Sequence, residues 1–217
     1  MKDLGSTVKN FVSQCTDDAI IWTLQVAFPL KKAIETDNYK KIQSLAKKIK
    51  LDDFDEDLCV AAKHGNPQSL QILLSNFQRR FPKEFAHYRP NHPLLYATLK
   101  SHTQCALMLL EKCEVEYKYR AFEEAINNNM QNFLLEFVRQ IPLSSNRWPE
   151  VFNRLVDICN EDITLLALER CKFPDILMDI EYSAREYIEN VIAVQQKKTI
   201  ENHLSAVFTS PRSPRKM

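Results

Sequence analysis

Histidine and cysteine side chains, which bind zinc and supply nucleophiles, concentrate in one part of this chain. His87, His92, His102, Cys105 and Cys113 fall within a single stretch. Structural zinc sites draw their ligands from closely paired residues, and this order reproduces no such paired spacing. A zinc site is therefore disfavoured, and we predict no metal and no cofactor.

Acidic residues alternate in Asp53-x-Asp55-x-Asp57, which is how a calcium-binding loop begins. That loop requires a glycine at its sixth position, where this chain has Leu58. Calcium is therefore excluded. We expect the acidic run 52–57 to cap a helix instead, because carboxylates oppose the positive end of the helix dipole.

The sequence contains no familiar arrangement of catalytic residues. A cysteine nucleophile needs a histidine beside it, and Cys59 and His64 are five residues apart, a spacing that does not place side chains together on a helix. The only glycines, Gly5 and Gly65, are too few for a phosphate-binding loop. The motifs G-x-S-x-G and H-E-x-x-H are absent. We predict no catalytic residue and no enzymatic activity.

The composition of the chain is sufficient for a folded core, and its net charge is too small to attract a polyanion. Of its 217 residues 45% are apolar, enough for a continuous core, and the net charge of +1 gives no overall attraction to nucleic acid or anionic lipid. No apolar run reaches the roughly 18 residues that cross a bilayer, and the first twenty residues do not have the order of a secretory signal. The six cysteines are scattered among aliphatic residues, which indicates reduced thiols and a cytoplasmic protein.

The elements that would position any site form a recurring frame. Apolar residues and a polar turn repeat around Ala33, Ala61, Ala97, Ala125 and Leu155, at intervals of 28, 36, 28 and 30 residues. Each unit contains two amphipathic segments of about 8 to 10 residues, and the turns between them are rich in Asp, Asn, Ser and Gly. The pattern predicts an all-α fold of about five helical hairpins, although a non-repetitive bundle or another helical repeat would also fit.

This frame resembles the ankyrin repeat. Residues 92–97, His-Pro-Leu-Leu-Tyr-Ala, are similar to its T-P-L-H-x-A segment, and residues 61–74 match the remainder through Ala61, Ala62, Gly65, Leu70, Leu73 and Leu74. The resemblance covers roughly residues 28–170 in degenerate form and implies an α-solenoid that binds other proteins. Gly65 is expected to end its helix with a positive φ, and Asp, Ser or Asn must do so in the other turns.

Helical caps are expected at both ends of the array. We place an N-terminal capping helix in residues 1–27, the ankyrin-like repeats in 28–172, C-terminal capping helices in 173–208 and a disordered basic tail in 209–217. The second cap rests on an apolar stripe, formed by Ile180, Ala184, Tyr187, Val191 and Val194. In the tail, Ser210 and Ser213 each precede proline and are candidate phosphorylation sites.

The long interval of 36 residues contains the candidate contact surface, a finger at 77–91. It mixes aromatic and basic side chains, the types enriched at protein interfaces. The candidate partner-binding residues are Arg79, Arg80, Phe81, Lys83, Phe85, Tyr88 and Arg89. The alternative is that Phe81 and Phe85 extend the preceding helix and pack inward. Nucleic acid is disfavoured as a ligand because of the acidic run nearby.

We therefore expect a monomeric, non-enzymatic protein-binding module that uses its concave face and the 77–91 finger. Degenerate, glycine-poor ankyrin-like arrays are similar to those that intracellular bacteria and large viruses direct against host proteins, which implies a secreted effector acting in a host cytoplasm. Two alternatives remain open. One is an enzyme with an unrecognised Cys/His site, and the other is a structural oligomer joined through the stripe at 180–194.

Overall fold

Over residues 28–170, the hairpin pattern of the sequence corresponds to α-helices of 6 to 14 residues. A computed structural model describes residues 28–141, 146–171 and 180–209, and these ranges contain twelve α-helices and no strand. The prediction of an all-α fold is confirmed. The cap predicted at 1–27 and the candidate phosphorylation sites Ser210 and Ser213 lie outside the described residues.

The chain divides into two compact units, Met1–Phe133 and Leu134–Met217. The helices are α1 (Phe28–Glu35), α2 (Tyr39–Ala46), α3 (Phe54–His64), α4 (Pro67–Arg80), α5 (Pro82–His87), α6 (Asn91–Leu99), α7 (Thr103–Leu110), α8 (Val115–Asn127), α9 (Gln131–Gln140), α10 (Trp148–Leu155), α11 (Glu161–Arg170) and α12 (Tyr182–Thr209). Two short 3-10 turns, Leu51–Asp53 and Val156–Ile158, precede α3 and follow α10.

In the first unit the helices contact one another in two rows. The first helix of each hairpin packs on the first helix of the next, so that α3 contacts α1 and α6, and α6 contacts α8. The second helices do the same, since α4 contacts both α2 and α7. The alanines of the repeated frame, Ala33, Ala61, Ala97 and Ala125, are all buried, which allows neighbouring helices to approach closely.

Each hairpin of the first unit turns through a residue with a left-handed backbone. These residues are Asp37, Gly65, Ser101 and Asn129, with φ of 53°, 69°, 60° and 51°. The amide of the following residue donates to the carbonyl of the frame alanine, as from Asn38 to Ala33 at 2.9 Å, which closes a Schellman motif. The prediction that Asp, Ser and Asn replace the turn glycine is confirmed. In the second unit Cys159 takes the same conformation, with φ of 44°.

Polar side chains connect each turn to the turn before it. The Asn66 amide nitrogen donates to the Asp37 carboxylate. His102 Nε2 lies 3.1 Å from the carbonyl oxygen of Lys63, so this nitrogen carries the proton that is donated. Asn128 Nδ2 donates to the carbonyl of Thr98 at 3.0 Å. These bonds cross between successive hairpins and fix the spacing of the turns.

Gly65 is required by its neighbour as well as by its own φ. A Cβ atom at this position would overlap the imidazole ring of His102. The other left-handed turn positions carry side chains, so the close approach of His102 explains why glycine stands at this turn. Both the positive φ and the close approach of the His102 ring therefore require glycine at position 65, the only glycine within the described residues.

The second unit contains α10, α11 and α12. Trp148 and Phe152 of α10 are buried, and α12 packs against both α10 and α11. Three members of the apolar stripe, Ile180, Ala184 and Val191, are buried by this packing, whereas Val194 is exposed. Three of the five residues of the stripe therefore contribute to the core of the second unit.

The acidic run 52–57 does not cap α3 in the predicted way. Asp53 occupies the N-cap position without a side-chain hydrogen bond to the helix. Asp57 is buried, only 6% exposed, and its Oδ2 has no hydrogen-bond partner in the structure. Burial, with Asp53 and Glu56 adding repulsion, raises the pKa of Asp57 to about 7. Asp55 and Glu56 nevertheless lie in the first turn of α3, where carboxylates oppose the positive end of the helix dipole as expected.

Candidate functional site

The 77–91 segment is helical over much of its length. Helix α4 continues through Arg80, and α5 begins at Pro82. Between them Phe81 has φ of −134° and ψ of 62°, because the residue before a proline is sterically kept out of the helical region. The segment is thus a helix extension with one break, and it differs from the extended finger that the repeat spacing suggests.

The aromatic side chains of this segment pack on one another and on α3. The Phe77 ring stacks on the Phe54 ring with centroids 4.6 Å apart, and Phe81, Phe85 and Tyr88 all surround Phe77 with centroids within 6.3 Å. Phe85 is only 8% exposed. Edge-to-face pairs of this kind stabilise a core beyond the burial of area alone. The structure thus places Phe85 in the core, and Phe81 and Tyr88 are half-buried against it.

The basic side chains of the segment have different environments. Arg80 Nη1 donates to the carbonyl of Ala46 at 2.9 Å, and its guanidinium lies 4.9 Å from the Phe81 ring centroid. Arg80 therefore joins the end of α4 to the end of α2. Arg79, Lys83 and Arg89 are exposed, and these three remain accessible to a partner.

A hydrogen-bonded cluster links the segment to α3 and α6. The Tyr88 hydroxyl donates to Asp55 Oδ1 at 2.6 Å, and Asp55 Oδ2 lies 3.5 Å from Nδ1 of His92. Burial raises the pKa of the Tyr88 phenol, and the bond to the Asp55 carboxylate raises it further. Tyr88 is thus a neutral hydrogen-bond donor that holds the segment against α3.

Three cysteine thiols of the first unit are protonated and inert. Burial raises the pKa of Cys59 and of Cys113 to about 12 each, and that of Cys105 to about 11. The carboxylates of Asp55 and Glu56 add to the effect at Cys59. Cysteine nucleophiles need the opposite shift, toward a stable thiolate.

The five residues considered for zinc do not assemble into a site. His102 is bonded to a turn carbonyl, Cys105 is buried, and the Cys113 thiol donates to the carbonyl of Pro90 at 3.2 Å. Within the residues that the structure describes, no group of three His, Cys, Asp or Glu side chains could hold a metal ion.

Helix α6 presents two large apolar side chains to solvent. Tyr96 is 41% exposed and Leu99 is 52% exposed, and their spacing of three residues places them on one face of the helix. On the neighbouring α3, Val60 stands at the same position of the repeated frame as Tyr96 and is half-buried. We call the residues Val60, Leu95, Tyr96 and Leu99 the α6 patch.

Sequence reasoning overlooked this patch because it followed the buried positions of each hairpin. The sequence nevertheless contained an indication of this patch, at the frame positions that Tyr96 and Leu99 occupy. Where α6 carries Tyr96, α1 and α8 carry Lys32 and Glu124, and where α6 carries Leu99, α1 carries Glu35. Exposed apolar side chains at positions that carry a charge in two of the other three hairpins indicate a surface that could bind a partner.

A second surface lies in the groove between α2 and α4. Six of its seven lining residues carry polar side chains, and the lining is formed by Gln43, Gln68, Gln71, Ile72, Ser75, Asn76 and Arg79. In the second unit, a more apolar groove between α11 and α12 is lined by Leu165, Leu168, Glu169, Ile192, Gln195, Gln196, Thr199 and Ile200. None of the helices in the described ranges combines the length and apolar composition needed to cross a bilayer.

Comparisons of the chain with protein-family models, with curated proteins and with solved structures find no match.

Proposed function

We propose that this protein is a non-enzymatic module that binds another protein through the first helices of its hairpins, with the α6 patch at the centre of the contact. The observation that carries the proposal is the exposure of Tyr96 and Leu99 side by side on α6. Exposed large apolar side chains cost free energy in water, and tyrosine is among the residues most enriched at the centres of protein interfaces.

The surroundings of the α6 patch suit a binding surface. Helix α6 is held on both sides, by α3 and by α8, so its exposed face is supported by rigid neighbours. Charged residues such as Lys63 and Glu124 occupy the corresponding positions of these neighbours and would form a polar rim. A preorganised face of this kind loses little entropy when a partner binds.

The environment of the cysteines also favours binding over catalysis. A thiol whose pKa is raised by burial is a poor nucleophile, and this holds for Cys59, Cys105 and Cys113. The oligomer alternative is weakened by the burial of Ile180, Ala184 and Val191 inside the second unit, since these side chains cannot also join two chains.

In its finer form the proposal is an ankyrin-like solenoid, and an effector that acts on host proteins. The left-handed turns at Asp37, Gly65, Ser101 and Asn129 support the repeat interpretation, because they recur at the spacing of the sequence frame. The effector interpretation depends on the resemblance alone. Arg79, Lys83 and Arg89 are proposed as additional contacts, whereas Arg80, Phe81, Phe85 and Tyr88 act mainly in packing.

The test is affinity capture from cell lysate with quantitative mass spectrometry. A Tyr96→Ser/Leu99→Ser variant should lose the proteins that the wild type enriches, because both apolar contacts are removed. The matched control is Val115→Ser, since Val115 is 57% exposed on a different helix, α8, and should leave capture unchanged. Equal recovery of the same proteins by the wild type and the double variant would remove the α6 patch from the proposal.

A further inference from the structure

Charge is distributed unevenly between the two rows of helices in the first unit. Helices α2 and α4 contain no Asp or Glu, and they carry Lys40, Lys41, Arg79 and Arg80, with Lys47 directly after α2. The acids of this part of the chain include the run at 55–57 of α3, on a first helix. Although the net charge of the whole chain is only +1, the second helices of the first two hairpins therefore form a basic surface.

The polar groove between α2 and α4 lies on this basic surface. Gln43 belongs to α2, and Gln68, Gln71, Ser75 and Arg79 follow at helical spacing along α4. All five side chains are exposed. No carboxylate lines the groove. Asp37, in the turn before α2, accepts a hydrogen bond from Asn66.

Cations accompany the amides on both helices that form the groove. Lys40 and Lys47 lie three residues before and four residues after Gln43, and so share its face of the helix. Asn76 Oδ1 accepts a hydrogen bond from Arg79 Nη2 at 2.8 Å, while Asn76 Nδ2 donates to the carbonyl of Ile72. Because Asn76 is itself fixed, it orients the guanidinium of Arg79 at one end of the groove.

We propose that this groove binds an extended acidic peptide segment of a partner protein. Glutamine side chains both donate and accept, so Gln43, Gln68 and Gln71 can pair with the N–H and C=O groups of an extended backbone. Lys40, Lys47 and Arg79 would attract the carboxylates of the peptide. This site lies on the second helices and is additional to the α6 patch on the first helices.

The dimensions of the groove fix the length of its ligand. From Gln68 to Arg79 the helix rises about 16 Å, at 1.5 Å per residue. An extended chain covers this distance with about five residues, at 3.3 Å each. Single-stranded nucleic acid fits less well, because it is held by aromatic side chains on which bases stack, and the groove lining contains none.

The experiment is a selection from a phage-displayed library of random peptides, each about twelve residues long and thus longer than the estimated contact. Selection on the full-length protein should enrich peptides rich in Asp and Glu. An enriched peptide, labelled with fluorescein, is then titrated against variants by anisotropy. Lys40→Glu/Arg79→Glu should weaken its binding by about tenfold or more, because two attractive charge pairs become repulsive.

Two further variants separate the groove from general charge effects. Lys31→Glu/Lys32→Glu makes the same change in net charge on exposed positions of α1 and should keep the affinity within about threefold, since only screened long-range charge differs. Gln68→Ala/Gln71→Ala leaves the charge unchanged and should weaken binding through the lost backbone contacts. Circular dichroism establishes that all variants are folded.

Several outcomes would overturn the inference. Enrichment of neutral or basic peptides, equal loss of affinity in the α1 control, or tighter binding of a single-stranded oligonucleotide than of the acidic peptide would each contradict it. A Tyr96→Ser/Leu99→Ser variant should bind the labelled peptide normally, so failure of the groove and failure of the α6 patch are distinguishable.

Discussion

Replacing Gly65 with alanine should destabilise the first unit by about 2 to 3 kcal/mol. The left-handed conformation at φ of 69° costs a residue with a Cβ about 1 to 2 kcal/mol. The new methyl group would also overlap the His102 ring and displace it, which breaks the bond from Nε2 to the Lys63 carbonyl and costs about 1 kcal/mol more. Both effects act in the same direction.

Urea unfolding followed by far-UV circular dichroism measures this change, and a double-mutant cycle with His102→Ala divides it. If the overlap contributes, Gly65→Ala should cost less in the His102→Ala background, because there is no ring to displace. The matched control is Ser101→Gly, at a turn with φ of 60°, which should stabilise the protein by up to about 1 kcal/mol. Our reasoning is refuted if Gly65→Ala leaves the free energy of unfolding unchanged, or if Ser101→Gly destabilises as much.

The remaining predictions concern buried charge, a packing arginine and thiol reactivity. The native pKa of Asp57, about 7, exceeds its ordinary value of 3.8. The free energy of unfolding should therefore fall by up to about 4 kcal/mol as pH rises from 4 to 7 and then level off. Urea titrations at several pH values measure this change, and Asp57→Asn should abolish it. Arg80→Ala should lower the free energy of unfolding by about 1 to 3 kcal/mol, since it leaves the Ala46 carbonyl without its donor. Lys83→Ala, at an exposed position of the same segment, should change it by less than about 0.5 kcal/mol, and equal effects would contradict the assignment of Arg80 to packing. Among the described cysteines, the exposed Cys159 should react first with a thiol reagent in the native protein, as detected by mass spectrometry. Earlier modification of the buried Cys105 would contradict its position in the core.

The turns were the part of the fold most accessible from the sequence. Asp37, Gly65, Ser101 and Asn129 follow frame positions at a constant offset, and their residue types tolerate a positive φ. Cys159 was not predictable as a left-handed residue, because cysteine has no preference for that conformation.

The 77–91 segment shows why the candidate site was harder to predict. Its aromatic residues have the composition of an interface, yet the spacing of four between Phe77, Phe81 and Phe85 equally suits a helix that packs inward. Composition does not decide between these two arrangements. The decision depends on Phe54 of α3, which is distant in sequence and provides the surface on which Phe77 stacks.

The α6 patch required knowledge of which positions face solvent. Tyr96 and Leu99 belong to an apolar segment that looks like core throughout, and the packing of α6 between α3 and α8 shows that one of its faces is uncovered. The burial of the Asp57 carboxyl group was missed for the same reason, since other acids of the same run, Asp52 and Glu56, are exposed.

The measurement that tests the central proposal most directly is site-specific photo-crosslinking in cells. A photoreactive phenylalanine analogue at position 96 should produce a dominant adduct with one partner protein, identified by mass spectrometry. The same analogue at position 115, which is also exposed, should not produce that adduct. No adduct at position 96, or the same adducts at both positions, would contradict the assignment of the α6 patch as the protein-binding surface.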